Sequence, residues 1–411
     1  MRAFSIFFIA FVALSVAVKS HASTPLTLAQ AVERTLANNP DLATLPTRKA
    51  EQTARIELAG LRPQATVEAQ IENAFGSGGY RDMDGAETTL SLSQVIELGE
   101  QRRQRVRAAH VQMDALEVEQ TVAQLDVVAE TTRRYIHLAS EEQQQLLAAQ
   151  WLQASKHKFD EVERRVKAAR DPEVELVRVR IELSRAEIGL RVAEDRVRIA
   201  RRKLAAMWGS NDPDFDRIDA DIFNLPQLEA LQQRTERIAK SADFLLFATE
   251  IRQREAELEL AKAQARATVT VSAGIRRLEA TGDQALVAGF SMPISSARYA
   301  QPRIAEARAR RDGLEREREA ALIKAQTTLF ELTSHLKHAV EEAQTLRDEL
   351  LPRMEAAVKA TEYAWQRGRY GYIELTEAQR EQLALRLALI TAATNAQLYR
   401  VEIERLTGDT P

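Results

Sequence analysis

The sequence contains no cysteine. That removes disulfide frameworks, thiolate metal sites and cysteine nucleophiles together. Glycine and proline are scarce, at 15 and 11 of 411 residues, and aromatic residues make up only 5 %. A strand-dominated porin, built on turns and aromatic girdles, does not match such usage. With 57 basic and 60 acidic residues the net charge is −3, so nothing points to nucleic acid. Beyond the N-terminal segment no apolar run approaches the ~20 residues that a membrane helix needs. A chain of this kind enters a membrane only as a closed β-barrel, the other solution that satisfies every backbone group. Ser/His/Asp arrangements, phosphate loops and Gly-rich nucleotide motifs are missing too. No enzyme, cofactor or resident metal is therefore expected.

Residues 1–22 read as a secretory signal. Arg2 supplies a positive end, Phe4 to Val18 is an almost unbroken apolar run, and Ser20-His21-Ala22 offers small residues at the cleavage positions. The mature chain is expected to begin near Ser23. No cysteine follows to carry a lipid anchor.

The rest of the chain repeats itself. Ile56-Glu57-Leu58-Ala59, five residues, then Ala65-Thr66-Val67 returns as Leu258-Glu259-Leu260-Ala261, five residues, then Ala267-Thr268-Val269. Leu92-Ser93 with Ile96 returns as Phe290-Ser291 with Ile294, Leu176 as Leu375, and Gly209 as Gly408. The separation stays at roughly two hundred residues, the mark of a duplicated structural unit. The expected units are 23–210 and 227–411, joined by a linker over 211–226.

Each unit changes period twice. Thr27 is placed to cap a first helix that Asn38-Asn39-Pro40 ends, and a second helix runs from Asp41 towards Ala59. Then Ala65, Val67, Ala69 and Ile71 alternate with polar neighbours, which predicts a strand with one apolar face over about 64–75. A return strand is expected over about 88–96, and the second unit repeats the pair over about 267–277 and 284–294. Strands of ~10 residues suit a tilted membrane crossing, and four of them are too few to close a barrel, so several chains must contribute. Gly99 to Lys167 holds no proline or internal glycine, which allows one helix of about 100 Å. Tyr299 to Gln366 is its counterpart, with Pro302 in the first turn and a kink at Pro352. Shorter helices return over Glu173–Met207 and Tyr372–Leu406, giving helical hairpins over about 99–207 and 299–407. Stacked short helices beside each long one would form a cylinder wall, with frequent alanines permitting close packing.

In this order of elements the chain resembles the TolC-type outer-membrane efflux factors. The most specific marks are Tyr363-x-x-x-Arg367-Gly368-x-Tyr370-Gly371-Tyr372-Ile373-Glu374-Leu375-x-Glu377-Ala378-Gln379, similar to the family's second coil tip, and Ser93-Gln94-Val95-Ile96-Glu97-Leu98-Gly99. The latter resembles the barrel-to-helix junction of the heavy-metal (CzcC-like, cobalt–zinc–cadmium) branch, although Glu100 stands where a second glycine is usual. The Ala169-Arg170-Asp171-Pro172-Glu173-Val174-Glu175 tip fits the same branch. The resemblance implies a mainly α chain with membrane β, contributing four strands to the 12-stranded barrel of a homotrimer and a long coiled coil to a periplasmic tunnel. It also implies residence in the outer membrane of a Gram-negative bacterium, in contact with lipid. The partners would be a periplasmic membrane-fusion adaptor and a proton-driven inner-membrane pump of the RND type. The cargo would be heavy-metal cations; multidrug efflux or type I protein secretion would use the same architecture. An exported coiled-coil scaffold without channel activity is the alternative of a different class.

By this resemblance Glu374 and Glu377, one turn apart, fall on the acidic ring that constricts the periplasmic aperture. The repeat sets Glu175 at the position of Glu374 and Arg178 at that of Glu377, which suggests Glu–Arg links between hairpins. The tips Arg170-Asp171-Pro172 and Gly368-Arg369-Tyr370-Gly371 are expected to dock the adaptor. His335 and His338 share a helix face, but without a cluster of acidic ligands they read as surface histidines. Arg102, Arg103 and Arg105 are expected at the membrane–periplasm boundary. Phe75, Tyr80 and Phe290 are candidates for an interfacial girdle, and Trp151, Trp208 and Trp365 for packing.

Overall fold

The computed structural model describes residues 25–229, 231–294 and 296–408. The signal expected over 1–22 lies outside the described residues. Helix α1 (Leu28–Asn38) opens with a capping box, in which Thr27 Oγ1 accepts from the Gln30 N–H and Gln30 Oε1 accepts from the Thr27 N–H. Asn39 ends it, donating from Nδ2 to the Met207 carbonyl and accepting on Oδ1 from the Asp41 N–H. A 3₁₀ turn at Leu42–Thr44 follows, then α2 (Leu45–Gly60).

Strands β1 (Thr66–Glu72), β2 (Glu87–Glu97), β3 (Thr268–Leu278) and β4 (Gln284–Ser291) form one antiparallel sheet in that order. The alternation in sequence becomes two faces. One row holds Val67, Leu92, Ala273 and Ala288, and the next Ala69, Leu90, Ile275 and Leu286. The opposite face carries Thr66, Ser93 and Ser272 in one row, and Gln70, Thr89 and Arg276 in another. Leu286 is 89 % exposed and Leu90 57 %, an arrangement that water would penalise and hydrocarbon would not. Among the described residues β1 and β4 each have one unpaired edge.

Two strands are shorter than the alternation predicts. β1 stops at Glu72 because Asn73 and Phe75 adopt left-handed backbone (φ 57° and 60°), and the Phe75 N–H turns to the Asp82 carbonyl. β4 stops at Ser291, ahead of Pro293, which lacks the N–H a ladder needs.

Helix α3 (Gln101–Lys167) is unbroken for 67 residues, and α4 (Glu173–Ala205) returns along it. A loop and α5 (Leu231–Ile238), the counterpart of α1, lead to α6 (Ala242–Gln264). The second long helix is composite. α7 (Ser296–Thr345) passes through a π turn at Leu346–Leu350 into α8 (Leu351–Gln366), and α9 (Tyr372–Thr407) returns. The expected kink at Pro352 therefore takes the form of a widened turn just before the proline, where its missing N–H and ring are accommodated. Pro302 lies inside α7, not in its first turn, because the helix begins at Ser296.

The cores are strung along the rod. Near its middle Leu26, Tyr135, Leu138, Val197, Leu204, Phe215, Ile218 and Ile390 pack together. There the Tyr135 hydroxyl meets the Leu26 and Asp219 carbonyls at 2.9 and 2.6 Å, tying the linker to α3. A second cluster joins Ile238, Phe244, Leu329, Leu336, Val340 and Ile403. A third, at the end far from the sheet, holds Val162, Val179, Trp365, Tyr372 and Leu375.

Candidate functional site

The third cluster supports both tips. At the first, the Ala169 N–H bonds to the Val166 carbonyl and the Arg170 N–H to the Arg165 carbonyl. At the second, Gly368 bonds to Trp365 and Arg369 to Ala364, so the same pattern recurs at the same register. Glycine is the usual residue for such a left-handed turn. Gly368 has φ 71°, but at the first tip the left-handed residue is Ala169, with φ 55°.

Asp171 does not project. Its carboxylate accepts from Arg165 Nε and Nη2 at 2.7 and 2.9 Å, and this pairing raises the arginine pKa above its ordinary value. The same guanidinium lies over the Trp365 ring, 4.5 Å from the centroid, and Lys158 Nζ lies 4.3 Å from it. Trp365 is only 2 % exposed, so one aromatic plate joins the two hairpins. Arg170, Pro172, Gly368, Arg369, Tyr370 and Gly371 are left on the exposed end.

Glu175 and Glu374 each occupy the third position of their helix, where the N-terminal dipole favours a carboxylate. Glu374 is exposed and folds back over Gly371; Oε2 lies 2.9 Å from where a Cβ would stand, so the glycine leaves room for it. Glu377 lines a cleft of about 330 Å³ between α4 and α9, shared with Arg178, Glu182, Tyr372 and Arg380. Neither Glu374 nor Glu377 has an ion-pair partner among the described residues. The Glu–Arg link expected between hairpins is drawn within α4 instead. Arg178 Nη1 donates to Glu175 Oε1 at 3.0 Å, and Glu175 Oε2 is buried without a partner among the described residues.

The link between α4 and α9 runs through residues that sequence reasoning missed. Glu182 accepts from the Tyr372 hydroxyl at 2.9 Å and from Arg380. Burial first, then the Glu182 charge, raises the Tyr372 pKa, so the phenol stays a proton donor. A buried tyrosine needs a hydroxyl partner, and Glu182 repeats the face of Glu175 after seven residues; those were the available signals.

Residues 31–210 match the family described as Outer membrane efflux protein. The chain is 22 % identical over 387 residues to the cobalt-zinc-cadmium resistance protein CzcC of Cupriavidus metallidurans, covering 94 % of this chain and 91 % of that protein. The chain thus carries a domain of the outer-membrane efflux protein family. The fold agrees. A membrane protein from Pseudomonas aeruginosa superposes with a TM-score of 0.77 at 20 % identity, over 93 % of this chain and 92 % of the other. CusC, a transmembrane channel, superposes at 0.72 and 15 % identity, over 93 % and 92 %.

The protein resides in the outer membrane, with its helices in the periplasm. The apolar sheet rows accordingly face lipid, and the tips lie at the periplasmic end, away from the membrane. Among the described residues no group of three or more histidine and carboxylate side chains is placed to hold a metal ion. His335 stacks on Tyr399, with ring centroids 5.3 Å apart.

Proposed function

We propose that the protein is the outer-membrane conduit of a tripartite, proton-driven efflux system that exports heavy-metal cations of the cobalt, zinc and cadmium class. The observation that carries this reading is the nearly full-length likeness to a protein named for cobalt-zinc-cadmium resistance. Three chains close a 12-stranded barrel through the free edges of β1 and β4. A periplasmic adaptor docks on the exposed tip residues Arg170, Pro172, Gly368, Arg369, Tyr370 and Gly371, with Asp171 holding the first tip in shape. An RND-type inner-membrane pump supplies the energy.

In the trimer Glu374 and Glu377 form the constriction at the periplasmic end. Like charge gathered at a small radius attracts cations and keeps the passage hydrated. Glu175 and Arg178 line the same mouth. The Glu182–Tyr372–Arg380 contact holds α9 against α4, so opening the aperture requires its release.

The test is deletion of the gene followed by growth against zinc, cobalt, cadmium, nickel, copper and silver, with hydrophobic drugs alongside. Sensitivity confined to metals, reversed by the intact gene, is the expected result. Sensitivity to drugs alone would reassign the cargo.

A further inference from the structure

The lipid-facing side of the sheet ends in a basic cleft. β1 and β2 pair as far as Thr66 and Ser93, whereas residues 94–97 continue against β3 alone. The segment before β1 diverges there and leaves a cleft of about 400 Å³, lined by Arg62, Pro63, Gln94, Ile96, Gly99 and Arg102. Ile96 continues the face of Leu90 and Leu92 and is 44 % exposed, and nearby Leu61 and Leu98 are exposed as well.

Gln94 interrupts that apolar face. Its Nε2 donates to the Pro63 and Val95 carbonyls at 2.8 and 3.0 Å, as a polar group at the edge of hydrocarbon must. Exposed Tyr299, in the first turns of α7, follows β4 at the same end of the sheet. These side chains mark the headgroup level of the periplasmic leaflet.

The charges at this level are unequally engaged. Arg103 pairs with Glu100, and Arg105 with Glu97 and the Leu61 carbonyl. Glu97, the acid lining the cleft, is thereby neutralised. Arg62 and Arg102 are exposed and have no ion pair among the described residues.

We propose that this cleft binds an anionic phospholipid of the periplasmic leaflet. Arg62 and Arg102 hold the phosphodiester, and the acyl chains run along Ile96 and Leu92. Guanidinium groups match phosphate oxygens in geometry and charge, and basic pockets at the edge of a membrane-spanning surface select anionic headgroups. Continuity of the cleft with the apolar face favours a lipid over a free anion.

The full-length protein, purified in detergent, is equilibrated with equimolar phosphatidylglycerol and phosphatidylethanolamine, and retained lipid is counted by native mass spectrometry. Preferential retention of phosphatidylglycerol is expected. Arg62→Gln and Arg102→Gln each weaken it about fivefold, and the double variant more. Arg103→Gln, which removes the same charge from outside the cleft, leaves the preference intact. Each single variant serves as a separate test if the double variant fails to assemble. Equal retention of both lipids by the wild type, or loss of preference in Arg103→Gln, overturns the assignment. Complete displacement by inorganic phosphate also overturns it, in favour of a site for free anions.

Discussion

Replacing Glu182 with alanine removes the only acceptor described for the Tyr372 hydroxyl and the partner of Arg380. A hydrogen bond to a charged acceptor contributes about 1.5–3 kcal/mol when its donor is otherwise buried, and Tyr372 is 5 % exposed. The Arg380 pair adds little, about 0.2–1 kcal/mol, because its side chain is 55 % exposed. Together they give about 2–4 kcal/mol per chain, a change of roughly thirtyfold or more in the local opening equilibrium. In a symmetric assembly the contributions multiply if the hairpins move together. Single-channel recording in planar bilayers is the assay. Glu182→Ala should raise conductance or open dwell time, and Glu182→Gln, which keeps an acceptor for the phenol but no charge for Arg380, should do so less. Oligomers that survive detergent electrophoresis establish that assembly is intact. Conductance unchanged by Glu182→Ala in such oligomers would refute the latch, and equal effects of both substitutions would refute the division between its two bonds.

Other consequences can be checked alongside. Ala169→Gly should stabilise the first tip by about 1 kcal/mol, since alanine pays for left-handed backbone there, and Gly368→Ala should cost about as much at the second; thermal melting compares them. Gly274→Val should abolish assembly, seen as loss of the detergent-resistant oligomer, because even a Cβ would stand 2.4 Å from the Leu90 carbonyl oxygen on the paired strand. The Glu130 pKa is raised by burial but lowered more by Arg134 and Arg133, so its folded value lies below the ordinary 4.5. The stability it contributes is present above the unfolded pKa and is lost as pH falls through the folded one. Melting temperatures of Glu130→Gln should therefore be lower than wild type near neutrality and converge with it in acid. The Glu142 carboxyl, raised by burial against the opposing pull of Arg201, works in the opposite sense.

The sequence was most readable where one physical rule acted alone. The absence of glycine and proline along α3 left a single continuous helix as the economical solution. Alternation over residues 89–93 set Leu90 and Leu92 on one face of β2 and Thr89, Ser91 and Ser93 on the other. The ends of β1 and β4 were harder to read. Asn73 tolerates left-handed backbone, but Phe75 bears no mark of it, and its turn depends on the Asp82 carbonyl across the loop. Ala169 is the sharper case, because nothing about alanine announces the conformation its neighbours impose. The site divided similarly. Glu374 and Glu377 were visible because they are near each other in sequence and near a recognisable tip. Glu182 was not, since its partners lie 190 and 198 residues away. The cations over the Trp365 ring, Lys158 and Arg165, likewise come from a helix in the other half of the chain.

The two unpaired sheet edges have a genetic consequence. In the proposed homotrimer each copy closes the ring only by offering a sound β1 to one neighbour and a sound β4 to the other. A copy with one damaged edge still enters through its intact side, so it spoils every ring it joins. Edge-strand alleles should therefore be dominant over the wild type when both are expressed, whereas alleles that abolish folding altogether should be recessive.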